Sequence, residues 1–358
     1  MKLHIIQSCP DDLVFWWQSK VWLKNLQGYG QSHRARLLIW RPFDRIKFER
    51  HPRWKELEEE FPEAHFSYYN DTEDILNKFI VPYNYIPLLR PHCLERHFRE
   101  FPELEEDVIY YCDSDTCFTK KYEFEDLIEG NTCYVSNTSS YLGAEYFDSK
   151  IKDVKPDKLE QYKQIDVLQG LGAIFGLTRE FLVEHNANTG GAQYLLKGIN
   201  ADFWKSVFAG CLYVKRYLVN INRIYFESED KGFQSWVADM VSIIYNLWRL
   251  KKTVLCSPSM DFCWATDLIE KWNRVNIYHD AGASATSIRS IEGGEHFLFN
   301  KRDMKYVNNF TTPFEEDLSF VSKDYCSYNY VKCIQEADPK TGYIVGVDPY
   351  QKEPIQIS

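Results

Sequence analysis

The sequence predicts a mixed α/β fold: a mostly parallel central sheet flanked by helices, with an irregular C-terminal tail. Three observations predict it. Short apolar runs alternate with amphipathic stretches through residues 1–140, the pattern of a doubly wound sheet. One of these runs, Asp107-Val-Ile-Tyr-Tyr-Cys112, is a short apolar segment that ends in acids and reads as a buried strand. The 358 residues are 44% hydrophobic and 26% charged, a globular balance that excludes a disordered or fibrous chain.

The elements follow in order. Residues 2–8 read as the first strand, ending in a turn at Cys9-Pro10. Residues 12–26 carry Leu13, Trp16, Trp17, Val21 and Leu23 at helical spacing. Arg36 to Trp40 is a short strand stopped by Pro42. The Glu-rich stretch 53–61 and the stretch 71–79 read as surface helices. Ile86 to Phe98 is helical in period, with Pro91 in its first turn. Asp107 to Cys112 and Thr132 to Asn137 are strands. Residues 148–166 are charged, contain Pro156 and read as a surface excursion. Gly170 to Leu177 reads as strand, and Gly190-Gly191 as the start of a helix running towards Gly210. Lys231 to Leu250 reads as a helix, with Phe233, Trp236, Val237, Met240, Ile243, Ile244 and Leu247 apolar. Val275 to His279 is a short strand. From Lys301, with Pro313, Pro339, Pro349 and Pro354, a wrapping tail is expected.

Charge and absent motifs narrow the function. Lys+Arg 42 against Asp+Glu 52 leaves a net charge of −10, which argues against a polyanion-binding surface spread over the whole protein. A local basic strip remains: Arg34, Arg36, Arg41, Arg45, Lys47 and Arg50, with His33 and His51. The N-terminus has one Lys, a short apolar run and then Asp11 and Asp12, unlike a signal peptide. No apolar window approaches the about 18 residues of a membrane span. The ten cysteines are scattered without a Cys-x-x-Cys pair, which argues for reduced thiols in a cytoplasmic protein. There is no phosphate-binding P-loop and no nucleophile elbow. Gly28-Tyr-Gly30 lacks the third glycine of a dinucleotide site.

The segment Tyr110-Tyr-Cys-Asp113-Ser-Asp115 carries the most chemistry. A buried strand delivers two carboxylates to its carboxyl end, where open α/β sheets bind ligands. Two hard carboxylates suit Mg²⁺ or Mn²⁺ better than Zn²⁺. This run resembles the Asp-x-Asp metal motif of glycosyltransferases with the GT-A fold, a Rossmann-like α/β fold. The resemblance implies that Asp113 and Asp115 hold a divalent metal on the diphosphate of a nucleotide sugar such as a UDP-sugar. It also implies that Ser114, and Ile6, Gln7 and Ser8 on the first strand, lie against the donor. A late segment, Asn276-Ile-Tyr-His279-Asp-Ala-Gly282, with Lys301 beyond it, resembles the family's His-x-x-Gly pattern. It implies His279 as third metal ligand and Lys301 on phosphate, and it points to retention of configuration.

Three further sites are expected. In Asn188-Thr-Gly190-Gly191-Ala-Gln193 the paired glycines let a ligand sit against backbone N–H groups; the segment resembles sugar-binding loops of the GT-A fold, which makes Gln193, flanking the sugar, a catalytic candidate. In Phe233-Gln234-Ser-Trp236-Val-Ala-Asp239 an acid on an apolar helix face needs a partner if buried; the resemblance implies an acid on an equivalent helix near the sugar or acceptor, which makes Asp239 the candidate catalytic or sugar-orienting carboxylate. Gln234, Trp236 and Trp264 are acceptor candidates, and Tyr141 is a further aromatic for a sugar or base. Arg90, in Leu88-Leu-Arg90-Pro-His92, would contact donor phosphates or sugar.

The sequence therefore reads as a metal-dependent glycosyltransferase over residues 1–315, with a nucleotide-sugar half at 1–140, an acceptor half at 165–315, and an extension at 316–358. The acceptor stays open between a glycan or lipid-linked saccharide and a hydroxymethylated DNA base, as in phage-encoded DNA glycosyltransferases. A catalytically inactive sugar- or nucleotide-binding module is the alternative class. A nucleotidyltransferase would carry a glycine-rich basic segment where this chain reads Cys9-Pro-Asp-Asp.

Overall fold

The structure is a computed structural model that describes residues 1–41, 52–80, 82, 85–228, 231–282, 287–289, 295–309 and 311–338. Its strands are β1 (Leu3–Pro10), β2 (Ala35–Arg41), β3 (His65–Asn70), β4 (Val108–Cys112), β5 (Thr116–Phe118) and β6 (Cys133–Asn137). The chain continues with β7 (Gly190–Lys197), β8 (Val254–Cys256), β9 (Phe262–Trp264), β10 (Ile277–His279), β11 (Ser287–Arg289) and β12 (Glu295–Phe297). The chain divides into two compact units. The first comprises Met1–Asp11, His33–Ser114 and Tyr122–Asp261; the second comprises Asp12–Ser32, Asp115–Lys121 and the chain from Phe262. No helix among the described residues is long and apolar enough to cross a membrane.

The first unit is built on a seven-stranded sheet in the order β3-β2-β1-β4-β7-β6-β8. The mixed, mostly parallel sheet that the sequence predicts is thus present. Strands β3, β2, β1 and β4 are parallel, β7 runs antiparallel to both β4 and β6, and β8 is parallel to β6. Every residue of β4 and of β7 is buried, because helices cover the sheet. The order reverses at β1, whose neighbours are β2 and β4. The crevice beyond the carboxyl ends of β1 and β4 is therefore a topological switch point, where such sheets take ligands. Gln7 pairs with Cys112, so the chain leaves this pair of strands at Ser8 and Asp113.

Three helices form most of the covering layer: Leu89–Glu100, Ala201–Tyr225 and Ala238–Arg249. Asn200 starts the second by accepting from the Phe203 N–H at 3.1 Å. Gly210 lets it pack closely on Ala238–Arg249, since a Cβ there would lie 2.2 Å from Ser242 Oγ.

The second unit pairs the helix Leu13–Gly28 with the helix Cys326–Ala337 and a small sheet, β5-β10-β9. Asn25 substitutes for a strand neighbour: its Nδ2 donates to the Phe118 carbonyl at 3.0 Å and its Oδ1 accepts from the Phe118 N–H at 2.8 Å. Aromatic packing fills the interior, with Tyr278 stacked on Tyr330 at 5.0 Å and Trp17 edge-on to Phe299 at 6.1 Å.

Several local expectations are corrected. Gly170–Leu177 is not strand: Val167–Phe175 is a helix, capped by the Asp166 carboxylate on the Gln169 N–H. Leu168, Leu171, Gly172 and Phe175 form its buried stripe, and the period overrides the apolar run. Gly190-Gly191 does not open a helix; it begins β7, and the helix starts at Ala201 after a left-handed turn at Gly198 (φ 58°). The helix expected over Lys231–Leu250 begins only at Ala238, after a 3₁₀ turn at Ser235–Val237. Residues 71–79 give one π-helical turn at Leu76–Ile80, and the strand β3 before it was not foreseen. The 148–166 excursion is a series of short helical turns with Val154 and Tyr162 buried. In the tail, Cys326–Ala337 is a regular helix, while Pro339, Pro349 and Pro354 lie outside the described residues.

Candidate functional site

In the first unit the site is assembled around Asp113, at the end of β4. Arg90, in the first turn of the helix Leu89–Glu100, directs Nη1 to Asp113 Oδ1 and Nη2 to Asp239 Oδ2, the latter at 2.5 Å. Burial by itself would lower the Arg90 guanidinium, but the two carboxylates outweigh it and hold the group firmly protonated. Asp239 is buried at the start of the helix Ala238–Arg249. Its carboxyl is pushed up by burial, against the opposing pull of Arg90, and Asp113 pushes it the same way as burial does.

Tyr85, which the sequence reading did not single out, fixes this acid. Its hydroxyl accepts from the Asp239 N–H at 2.8 Å and lies 2.9 Å from Asp239 Oδ1 and 2.8 Å from the Trp236 carbonyl. Its ring meets Trp236 edge-on at 5.6 Å, and the buried Lys215 ammonium lies 5.4 Å from the ring centre. Nothing local in Tyr85-Ile-Pro signals a partner 154 positions away.

The remaining first-unit candidates divide. Ile6, Gln7, Ser8 and Ser114 are buried, the first three on β1 and Ser114 beside Asp113. Gly190 and Gly191 lie inside the sheet: a Cβ on Gly190 would stand 2.3 Å from the Ser136 carbonyl oxygen. They begin a strand and not a helix, so they offer no helix N-terminus. Gln193 is fully buried, with Oε1 2.6 Å from Ser136 Oγ. Ala192 beside it holds φ 70°, a conformation that costs an L-residue energy and marks an irregular strand. Trp236 is 53% exposed and therefore open to a ligand, and the Gln234 N–H donates to Tyr146 Oη at 3.0 Å.

In the second unit, Asp115 precedes β5 and His279 ends β10. Thr116 pairs with His279, and the Asp280 N–H donates to the Asp115 carbonyl at 2.9 Å, so this ladder places the two side chains together. His279 Nε2 lies 3.5 Å from Asp115 Oδ1, and Lys301 contacts Asp115 Oδ2. Trp264, opposite His279 on β9, stacks tilted against the imidazole at 5.4 Å. Asp280 is a further buried acid; burial pushes its carboxyl up to about 6. Its Oδ1 accepts from the Gly282 N–H at 3.1 Å, in a turn where Gly282 takes φ 74°.

The donor chemistry of Asp115 and His279 fits a divalent cation. A carboxylate oxygen and a ring nitrogen are available within 4.8 Å of one another, and Asp113 precedes Asp115 by two residues in the chain. Oxygen ligands with one imidazole suit Mn²⁺ or Mg²⁺.

Of the basic strip, Arg45, Lys47, Arg50 and His51 lie outside the described residues. Arg34 is paired with Glu123 at 3.1 Å, Arg36 with ring nitrogens of His4 and His97, both at 3.2 Å, and Arg41 with Asp11 at 3.5 Å.

No protein-family model matches the sequence, and no curated protein matches it. Among solved structures, the backbone is similar to that of an active-site mutant of LgtC, with 10% identity, a TM-score of 0.43, and 92% of this chain and 94% of that chain covered. It is similar also to the galactosyltransferase LgtC in complex with donor and acceptor sugar analogs, at 10% identity and a TM-score of 0.42, over 92% of this chain and 95% of that one.

Proposed function

We propose that this protein is a metal-dependent glycosyltransferase that moves a sugar from a nucleotide-sugar donor to an acceptor hydroxyl. The observation that carries the reading is Asp113 at the carboxyl end of β4, at the switch point beside β1, with Asp115 two residues further on and set against His279 and Lys301. Asp113, Asp115 and His279 would hold a divalent cation, Mn²⁺ or Mg²⁺. When bound, such a cation supplies Lewis-acid stabilisation of a departing diphosphate.

The chain's own residues do the rest. Lys301 offers an ammonium to a phosphate oxygen. Arg90 keeps Asp113 and Asp239 in place through both ends of its guanidinium. Asp239, anchored by Tyr85 and Arg90, is the carboxylate that would orient the sugar. Ile6, Gln7, Ser8 and Ser114 are the proposed donor contacts; Trp236 and Gln234 in the first unit and Trp264 in the second are each proposed as acceptor contacts. Retention of configuration is the stereochemical proposal, with Asp239 and Gln193 as flanking groups. Gly190 and Gly191 would contribute through the tight packing of β7 and not through a helix dipole.

The acceptor is proposed to be a saccharide hydroxyl. The described arginines of the 33–51 stretch are engaged by the protein's own groups, which favours a saccharide over a nucleic-acid backbone. The test is a panel of labelled nucleotide sugars offered with free saccharides and with duplex DNA carrying hydroxymethylated pyrimidines. Metal-dependent transfer that is lost in Asp113→Ala, while the fold is kept, supports the reading. Activity that survives both that change and EDTA overturns it. Transfer to DNA alone replaces the saccharide acceptor.

A further inference from the structure

Two of the cysteines meet inside the second unit. Cys263 is the middle residue of β9, and Cys326 is the first residue of the helix Cys326–Ala337. A backbone ladder joins the segments that follow the one and surround the other. The Cys326 N–H donates to the Asp267 carbonyl at 2.8 Å, the Ser327 N–H to the Ala265 carbonyl at 3.2 Å, and the Ile269 N–H to the Asp324 carbonyl at 2.9 Å. Leu268 and Tyr325 form an antiparallel bridge within it. The two thiols touch through a hydrogen bond, with Cys263 donating to the Cys326 sulfur. Cys326 Sγ lies 3.2 Å from the Leu268 carbonyl, and Cys263 Sγ 3.7 Å from that of Ile277. Both residues are fully buried.

The two sulfurs are not equivalent. Cys326 opens a helix of 12 residues, where the helix dipole favours a negative charge. Its sulfur accepts from the Cys263 thiol and from the Trp272 N–H; the Cys263 donation above all holds the Cys326 thiol below its ordinary range, against the opposing effect of burial. Cys263 sits in mid-strand and is the donor of the pair. A thiolate is the reacting form of cysteine, so Cys326 is the attacking sulfur and Cys263 the resolving one. Burial restricts the reagent: a peroxide is small, whereas a peptide-sized disulfide is too bulky for two enclosed sulfurs.

We propose that Cys263 and Cys326 form a peroxide-sensitive dithiol whose oxidation ties the helix Cys326–Ala337 to the sheet β5-β10-β9, which carries His279. The Cys326 thiolate attacks one oxygen of hydrogen peroxide. The O–O bond breaks, hydroxide leaves and takes up the proton released by Cys326, and Cys326 becomes a sulfenic acid. The Cys263 sulfur then attacks the Cys326 sulfur. The S–S bond forms, the S–O bond breaks, and hydroxide leaves with the Cys263 proton as water. One peroxide is reduced to two waters while two thiols are oxidised to one disulfide, and a reducing dithiol reverses the change. Neither sulfur belongs to the proposed cation site, so this inference does not depend on the metal-dependent reading.

The test treats the reduced, desalted full chain with hydrogen peroxide under native conditions and, separately, in urea. Catalase ends each reaction, remaining thiols are alkylated in denaturant, and the chain is digested without reduction for mass spectrometry. The native reaction should give a linked Cys263–Cys326 peptide that disappears on treatment with dithiothreitol. The oxidised protein should melt about 5 °C above the reduced one, because the bond closes a long loop. Dimedone, which labels sulfenic acids, should mark Cys326 in Cys263→Ser and leave Cys263 unmarked in Cys326→Ser. Melting curves of the reduced variants establish that they fold, and the linked peptide of wild type is a readout independent of them. No linked peptide from the native reaction, or one that forms only in urea, overturns the dithiol. A linked pair with an unchanged melting temperature overturns the tie between helix and sheet. Dimedone on Cys263 and not on Cys326 overturns the assignment of Cys326 as the attacking sulfur.

Discussion

Arg90 Nη2 stands 2.5 Å from Asp239 Oδ2, and the other arm of the same guanidinium meets Asp113. One side chain thus joins an acid at a strand end to an acid on a helix, the latter 149 positions from the arginine itself. Arg90→Met would leave two carboxylates facing one another with little water. Breaking a buried pair this way costs about 3–5 kcal/mol, read as a lower urea midpoint. Adding Asp239→Asn to Arg90→Met should recover part of the loss, because the uncompensated charge goes. A loss below about 1 kcal/mol for Arg90→Met would show that the bridge behaves as an ordinary exposed pair.

Asp115→Asn and His279→Ala test the cation site from the second unit. Each should lose metal-dependent donor hydrolysis by at least the about 10–100-fold that a supporting group of a metal site is worth. EDTA should abolish wild-type hydrolysis, and added Mn²⁺ or Mg²⁺ should restore it. Hydrolysis equal to wild type in Asp115→Asn would remove that acid from the ligand set.

The protein should lose stability in mild acid because of histidines remote from this site. His97 is fully buried between β2, β3 and its own helix, with Nε2 3.2 Å from Arg36 Nη1 and Nδ1 2.7 Å from Tyr69 Oη. Burial first, then Arg36, His65 and His4, push its imidazole down to about 2. The sign follows from linkage. A depressed pKa means that the unfolded chain binds the proton first, so the full contribution is present above about pH 6.5 and declines as pH falls. The slope is about 1.4 kcal/mol per pH unit for one such group, reaching about 2 kcal/mol at pH 5. Melts at pH 7.5, 6 and 5 should show this decline, and His97→Gln should flatten it. His4 and His65, also lowered chiefly by burial, keep a residual slope in that variant.

Asn222 holds the segment before Ala238–Arg249. Its Oδ1 accepts from the Phe233 N–H at 2.8 Å and its Nδ2 donates to the Phe233 carbonyl at 2.7 Å. The side chain takes the place of a strand neighbour for a buried backbone. Asn222→Ala strands both groups, and each buried polar group left without a partner costs about 1–3 kcal/mol. Denaturant melts should show a loss of at least about 2 kcal/mol.

What could be read from the sequence was set by local periodicity. β1, β2, β4 and β6 were legible because a covered strand must be apolar over a few residues and is then interrupted. Asp113 and Asp115 stood out because charge follows such a run directly. Two of the corrected elements share one cause. Gly170–Leu177 and Gly190–Lys197 are both apolar and glycine-rich, and composition does not separate a buried helix from a buried strand of that length. Neighbours did: Tyr217, packed where a Cβ on Gly170 would stand, and Ser136, whose carbonyl crowds Gly190.

The sequence by itself determined the alternating α/β plan, the acid pair at a strand end and the charge pattern, because these depend on residues close together in the chain. Only the tertiary structure decided which distant groups meet the acids. Arg90 with Asp239, Tyr85 with Asp239, and Lys301 with Asp115 are contacts across 149, 154 and 186 positions. Such pairings follow from strand order and helix packing, which bring chain segments together irrespective of their separation, and no local pattern encodes them.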